Sequence, residues 1–541
     1  MPRIFHNGQE LELVANQTIF DYADELKVRV PTSCGRNGDC HECVVQILKG
    51  MESLCQRTEA ENFLSENYRL ACQARVTNTG SNVEFSLLHR QPKILTHSTH
   101  RRVTINPLIK CRENSVYWQK TKIDRYRGNL FGLAVDLGTT TVVFNLVDLQ
   151  SGEVLSTSSF ENPQRFGGSD IMHRISYDGG QFHGELQQAI LSGLNFEIRE
   201  TCREIGIPKR HIYDVVIVGN STMRDIFFGF DVQSIGEKPY KSLTEHEMLR
   251  GDRKTTALNI PARNLGLKVF PKANVYGGPL IASHVGADVA ANLLAIGMDH
   301  EDSTVMLIDV GTNTEIVVGH RNQMMVASCP AGPAFEGGEI TYGMPGYEGA
   351  VEAVKLEEGE VKWRTIGNTS PVGICGSGLI DLLAELRRAG LMTELGVLAD
   401  QRKHFEFVPG KGMSVSRADI SSLAQAKAAN FCGQQIVLQR FGIPLEKLSK
   451  VYLAGGFANY IDVESAREIG FIPDISQEKI VKVGNASLEG ATLMLLSRDL
   501  RQWMEKAVTQ IEHVELETTP NFFDIFVEGC MFQPTSRSQI K

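Results

Sequence analysis

Five of the chain's eleven cysteines lie before residue 73, and four of these are spaced for metal chemistry. Five residues separate Cys34 from Cys40, two separate Cys40 from Cys43, and 28 separate Cys43 from Cys72, which sits in Arg69-Leu-Ala-Cys-Gln-Ala-Arg-Val. A [2Fe–2S] cluster takes four thiolates, and this set offers them: the tight pair and the loop cysteine can wrap one side, and the distant fourth closes it. Gly35 and Gly38 let the loop fold closely and aim N–H groups at sulfur, which helps set a potential. The alternative is zinc on the same four residues. Zinc sites usually pair two Cys-x2-Cys elements, and the second is absent here. Cys55 is the spare, read as a buried or free thiol, with replacement of Cys72 as a ligand the lesser alternative. No open metal position or substrate pocket is evident, so the chemistry expected is one-electron transfer.

A second constellation lies further along. Phe131-Gly-Leu-Ala-Val-Asp-Leu-Gly-Thr-Thr-Thr-Val-Val-Phe is echoed by Thr304-Val-Met-Leu-Ile-Asp-Val-Gly-Thr-Asn-Thr-Glu-Ile-Val-Val. Each is an apolar strand, then Asp-x-Gly-Thr-x-Thr, then another apolar strand. Gly138 and Gly311 allow backbone to approach phosphate oxygens, and Thr139, Thr140, Thr312 and Thr314 can donate hydroxyl bonds; N–H groups in such a turn form an anion nest. Asp136 and Asp309 are placed to hold Mg2+ through water. One such turn is a weak signal, because surface turns favour the same residues; two in matching strand contexts are stronger. In Lys450-Val-Tyr-Leu-Ala-Gly-Gly-Phe-Ala-Asn-Tyr-Ile a third strand runs into Gly455-Gly456, where a base and ribose could lie against bare backbone before a helix begins.

These sites need elements to hold them. Residues 1–88 read as a small sheet with one helix: β-type runs at Arg3–His6, Glu10–Val14, Cys43–Leu48 and Val83–Leu87, and a helix from Ile19 to about Leu26 capped by Thr18. Residues 89–130 are basic, with Arg90, Lys93, Arg101, Arg102, Lys110, Arg112, Lys120, Lys122, Arg125 and Arg127 against Glu113 and Asp124 only. They read as a solvated linker without a compact core, or as a tether for an acidic partner. From 131 to 541 the pattern is α/β in two related halves, near 131–300 and 301–541. Apolar residues at helical spacing mark Gly184–Arg203, Ala282–Leu294, Gly376–Ala389 and Ser421–Phe441, the last with Ser421 as its cap. At 541 residues, 42% hydrophobic and 22% charged, the chain is long enough for several cores. A net charge of −9 argues against general nucleic-acid binding. No run of 18 apolar residues suggests a membrane span, and the N-terminus does not read as a secretory signal, so a cytoplasmic protein is expected.

The cysteine pattern has x5 where plant-type ferredoxins have x4, so residues 1–88 resemble the adrenodoxin-like ferredoxins, which implies a β-grasp fold. The two Asp-x-Gly-Thr turns and the Gly455 motif together resemble the superfamily of acetate and sugar kinases, Hsp70 and actin. That resemblance implies a duplicated ribonuclease-H-like fold with ATP in the cleft between halves. Asp136, Gly138, Thr139 and Thr140 would form a first phosphate loop; Asp309, Gly311, Thr312 and Asn313 a second; and Gly455, Gly456 and Phe457 the adenosine side. The order of the two modules, with Asn162-Pro-Gln-Arg-Phe-Gly-Gly-Ser-Asp-Ile, Val218-Gly-Asn-Ser-Thr-Met, Cys329-Pro-Ala-Gly-Pro-Ala-Phe-Glu-Gly-Gly and Gly373-Ile-Cys-Gly-Ser-Gly-Leu-Ile-Asp, resembles the reductive activators of corrinoid proteins. This likeness implies ATP-dependent one-electron reduction of Co(II) to Co(I) in a corrinoid protein of a methyltransferase system, fed by an upstream electron donor, with a homodimer allowed. One departure stands out: about 40 residues separate the modules, where some members carry an extra middle domain.

Rival readings are a small-molecule kinase with a fused ferredoxin, a nucleotide-sensing electron-transfer module, and a dehydratase activator. The last shares its cluster at a dimer interface, against which the four cysteines in one chain argue. Cys329 and Cys375 read as small buried thiols, or as redox or cobalt-facing groups. Glu336 and Glu489 are candidates for a catalytic water or ribose, against ordinary roles as caps or surface groups. Asn220 and Thr222 are candidates for lining a cleft. The fourteen histidines show no metal spacing.

Overall fold

The computed structural model describes residues 2–88, 101–282, 284–456 and 458–535. β1 (Arg3–His6) and β2 (Gln9–Glu12) form a hairpin, α1 (Ile19–Glu25) follows, and β3 (Val44–Lys49), β4 (Tyr68–Leu70) and β5 (Val83–Leu87) complete a sheet of order β2-β1-β5-β3-β4. This is a β-grasp. Its helix starts where hydroxyl chemistry predicts: Thr18 accepts from the Asp21 N–H, and the Asp21 carboxylate accepts from the Thr18 N–H. Ile19, Phe20, Tyr22 and Ala23 turn inward. β4 is too short for alternation to reveal it, yet it leads straight to Cys72. Its Arg69 donates to Glu61 at 2.7 Å, an ion pair all but sealed from water.

The segment expected to be a linker differs from that reading. β6 (Ile109–Arg112), β7 (Ser115–Trp118) and β8 (Thr121–Arg125) form a three-stranded sheet that buries Ile109 and Val116. The basic residues are interleaved with apolar ones, so the charge run conceals a strand pattern. Residues 89–100, with Arg90 and Lys93, lie outside the described residues.

β9 (Phe131–Leu137), β10 (Thr141–Asp148) and β11 (Val154–Glu161) are followed by α2 (Ile171–Asp178), α3 (Glu185–Glu204), β12 (Ile212–Gly219) and α4 (Ser221–Phe228). Short helices α5 (Gln233–Gly236), α6 (Leu243–Leu249) and α7 (Ala262–Leu265) surround β13 (Leu258–Pro261) and β14 (Asn274–Gly277). The later half contains α8 (Ala287–Ala295), β15 (Val305–Val310), β16 (Thr314–His320), β17 (Gln323–Cys329), β18 (Ala350–Glu357), β19 (Glu360–Thr365), β20 (Gly373–Ile374), α9 (Gly376–Arg388), β21 (His404–Val408) and β22 (Met413–Ser416). Then come α10 (Arg417–Phe441), β23 (Lys450–Ala454), α11 (Val463–Glu468), β24 (Ile480–Gly484), α12 (Ala486–Leu496), α13 (Arg498–Ala507), β25 (Glu512–His513) and α14 (Phe522–Gly529).

The repeat seen in the sequence is a repeat of topology. One sheet runs β11-β10-β9-β12-β14-β13, and the other β25-β17-β16-β15-β23-β24. In each, three antiparallel strands carry the Asp-x-Gly-Thr hairpin, and a parallel strand lies against the first of them: β12 on β9, β23 on β15. By internal contacts the described residues divide into two compact units. One holds 2–88, 107–254 and 258–277; the other holds 101–106, 255–257 and 278–535. Each has its own apolar core. Two expected helix starts move. α8 begins at Ala287 rather than Ala282, because Ala282 pairs with Val285 in a tight bridge. α10 is capped by Ser416 rather than Ser421, because Asp419, three residues on, completes a capping box there.

Candidate functional site

Cys34 and Cys40 lie half-buried on the loop before β3, while Cys43 and Cys72 are buried beneath it. The loop takes left-handed conformations at Gly35, Arg36, Gly38 and His41. Gly38 is required twice over, since a Cβ there would stand 2.9 Å from the Ala60 Cβ. The sulfurs form two pairs. Cys43 donates to Cys72 Sγ at 3.4 Å, and Cys34 and Cys40 share a thiol hydrogen bond. Burial works to raise the Cys34 thiol, but bonds from the Cys40 thiol and from the N–H groups of Cys40, Gly38 and Asn37 bring it down to about 6. The bond from Cys43, with help from Gln73 Nε2 at 3.4 Å, brings Cys72 to about 7 against burial. The same pairing, then burial, holds Cys43 far above the ordinary thiol range. N–H groups aimed at sulfur favour thiolates, which is what iron binds. Two thiol pairs can each take one iron of a two-iron cluster. Cys55 stands apart, its sulfur accepting from the Arg75 N–H at 3.4 Å and the Arg69 guanidinium at 3.6 Å.

The first Asp-x-Gly-Thr turn joins β9 to β10, with Asp136 opposite Val143. The turn is held from three sides. Asn162 Nδ2 donates to Gly138 O at 2.8 Å, Asn220 Nδ2 to Thr139 Oγ1 at 3.0 Å, and Arg174 Nη2 to Thr139 O at 2.7 Å. Asn220 therefore bonds the turn, whereas Thr222 is buried inside α4. Arg174 escapes sequence reasoning, because a lone arginine on a short amphipathic helix looks like surface. It is wholly buried, and its other partners are Gly168 O at 3.0 Å, Gln164 Oε1 at 3.4 Å and Met223 Sδ at 3.0 Å. Burial brings its guanidinium down to about 9, so it stays charged at neutral pH. Burying an ion costs several kcal/mol; among the described residues no carboxylate is in direct contact with this one, and Asp170 acts on it only from a distance. A cation at that position suits an anion in the turn.

The second turn joins β15 to β16. Asn292 Nδ2 donates to Asp309, and Ser487 Oγ in turn to Asn292 Oδ1 at 3.0 Å. Thr312 Oγ1 donates to Glu336 Oε2, which puts Glu336 at the turn. Gly311 and Asn313 close the turn, N–H to carbonyl, at 3.1 Å. Burial pushes the Asp309 carboxyl up to about 6. Glu315 is pushed far higher by burial, then by Asp288 and Asp309. The Gly455 motif adjoins this turn, since Asp309 pairs with Ala454 across β15 and β23. Gly455 has φ +109°, and a Cβ on it would meet Val310 O at 2.2 Å. A short 3-10 turn, Ala458–Tyr460, follows first, and the helix, α11, begins at Val463. Phe457 lies outside the described residues. Glu489 accepts from the Arg101 N–H at 3.0 Å. Cys329 and Cys375 are buried, and burial raises both thiols.

Comparison with known proteins agrees with this anatomy. Three family models match: "2Fe-2S iron-sulfur cluster binding domain" at residues 4–77, "RACo middle region" at 131–301, and "C-terminal domain of RACo the ASKHA domain" at 303–541. The middle region is thus matched by the first α/β half, not by an insertion between the modules. The corrinoid activation enzyme RamQ of Eubacterium limosum is 33% identical over 430 residues, 74% of this chain and 70% of that protein. The [Co(II) methylated amine-specific corrinoid protein] reductase of Methanosarcina barkeri is 24% identical over 428 residues, 74% of this chain and 76% of that one. A solved structure of a reductive activator for corrinoid, iron–sulfur protein superposes with TM-score 0.71 at 29% identity, covering 100% of this chain and 99% of the other. With paired thiols in a β-grasp and twin Asp-x-Gly-Thr hairpins behind it, the chain belongs to the family of corrinoid-protein activators.

Proposed function

We propose that this protein reduces the Co(II) of a partner corrinoid protein to Co(I), one electron at a time and coupled to ATP. The observation that carries the reading is the joining, in one chain, of two thiol pairs poised for iron to a fold with duplicated phosphate turns. When bound, a [2Fe–2S] cluster supplies a one-electron relay. Cys34, Cys40, Cys43 and Cys72 would hold it, and N–H groups of the loop would tune it. The electron comes from an upstream donor, and the cobalt partner belongs to a methyltransferase system. Plant-type ferredoxins sit near −400 mV, and each further ~59 mV uphill costs a factor of ten for one electron. A low-potential acceptor therefore stays oxidised unless binding shifts the balance.

ATP can provide that shift only through different affinities for two conformations. Gly138, Thr139 and Thr140 would cradle phosphate in one half, beside the buried Arg174 charge. Gly311, Thr312 and Asn313 would do so in the other, with Asp136 and Asp309 holding Mg2+ through water. Gly455 and Gly456 leave bare backbone for adenosine. Mixing the reduced holoprotein with a Co(II) corrinoid protein, with and without ATP, tests this optically. ATP should increase the yield of Co(I); an equal yield without nucleotide rejects the reading.

A further inference from the structure

The loop that carries Cys40 and Cys43 is clasped by the α/β half of its own compact unit. Gln188 Nε2, on α3, donates to Cys40 O at 2.8 Å. His41 Nδ1 lies 2.9 Å from Glu185 Oε2, in the first turn of the same helix. The His41 ring stacks on Phe63 at 4.2 Å. Phe63 meets the edge of Phe166 at 5.5 Å, and its carbonyl accepts from Tyr177 Oη at 2.7 Å.

Tyr177 sits on α2, one turn beyond Arg174, whose guanidinium reaches Thr139 O in the first turn. A second strand of contacts runs beside it. Asn162, bonded to Gly138 O, begins the 3-10 segment Pro163–Gly167 that ends beside Phe166. A Cβ on Gly167 would stand 3.2 Å from Tyr177 Cγ and 2.6 Å from Leu186 Cδ2, so the segment, α2 and α3 leave each other no slack. Interiors packed this closely transmit displacement rather than absorb it.

We propose that α2 is a coupling element and Tyr177 a positioning residue: an anion in the first turn, acting through Arg174 and Tyr177, sets how firmly the cluster-bearing loop is held. This rests on the nucleotide reading above and adds to it a route from nucleotide to cluster that lies within one compact unit. A chain of contacts becomes coupling only where both ends bias one equilibrium, and that is measurable.

The test uses full-length holoprotein, a non-hydrolysable ATP analogue and the variant Tyr177→Phe. The variant keeps the ring against Phe166 and Phe182 and loses only the hydroxyl bond. Calorimetry reports analogue binding; backbone amide exchange reports loop residues 37–43 and 59–64; a redox titration reports the cluster midpoint. In the wild type, bound analogue should change loop exchange by roughly threefold or more and move the midpoint. Tyr177→Phe should bind the analogue with near-wild-type affinity yet lose most of both responses. Gln188→Ala, at the other end of the clasp, should do the same and stands in if Tyr177→Phe misfolds. A wild-type loop indifferent to bound analogue, or variants that respond fully, overturns the proposal and leaves the nucleotide reading intact. If calorimetry detects no binding, the nucleotide reading falls, and the coupling falls with it.

Discussion

A sulfur destined for iron and a sulfur that is merely stored differ in their surroundings. Cys55 is already occupied by Arg69, Arg75 and the Gln73 carbonyl, while Cys72 faces another thiol. Cys72→Ser should therefore lose most of its iron and visible absorbance, whereas Cys55→Ser should keep about two irons per chain; iron assay of both variants decides, and iron loss from Cys55→Ser would show the ligand set to be wrong. Asp309 offers a different test. Its folded value of about 6 lies above that of an unfolded aspartate, about 3.9. The folded state thus binds the proton more tightly, and stability is lost as pH rises through 6. Asp309→Asn removes that loss. It should raise the melting temperature of nucleotide-free protein at pH 7.5, a gain on the order of 2 kcal/mol that shrinks as pH falls below 6. It should also weaken MgATP binding at least tenfold, an order-of-magnitude figure for a lost charged contact. Stabilisation bought by losing function is a mark of a working site.

At the scale of elements, α8 and α12 meet through Gly490, where a Cβ would lie 1.9 Å from Ala291 O. Backbone cannot step aside as a side chain can. Gly490→Ala should destabilise by about 1–3 kcal/mol or more, seen as a lower melting temperature, and an unchanged one would mean the two helices pack more loosely than described. What the sequence revealed about elements depends on how local their causes are. Thr18 and Asp21 announce α1, and two copies of Asp-x-Gly-Thr between apolar runs announce two equivalent hairpins. β4 hid because three residues show no period, and β6–β8 because charge interrupts theirs. Ser416 and Ser421 are equally good caps alone; Asp419 decides between them. The roles of Arg174, His41 and Phe63 depend on neighbours 35 to more than 100 positions away, which no local pattern encodes.

Over the whole molecule, the ferredoxin core is continuous with that of the first α/β half. Those residues should melt as one body rather than as a free ferredoxin followed by the rest. Scanning calorimetry with simultaneous absorbance should find iron release coincident with a single transition of that unit. Removing the iron beforehand should lower this transition and leave the transition of the second unit in place; iron release well ahead of any heat absorption would contradict the shared core. The repeat places a division near residue 300, whereas the compact units part at residues 277 and 278, before α8; the middle region matches the stretch that opens with the first copy of that repeat. No helix among the described residues is long and apolar enough to cross a membrane.

The path of the chain through residues 101–106 bears on how such a gene could be recombined. Asn106 is hydrogen-bonded to Leu496 O, and Arg101 clamps Asp299, before the polypeptide returns at residue 107 to the unit it left. A crossover placed between the codons for 88 and 131 would bring in a foreign ferredoxin whose loop was not shaped against Glu185, Gln188 and Tyr177, and with a different leash. The N-terminal portion is therefore no interchangeable cartridge. Chimaeras that work should be those that inherit both sides of the clasp from one parent.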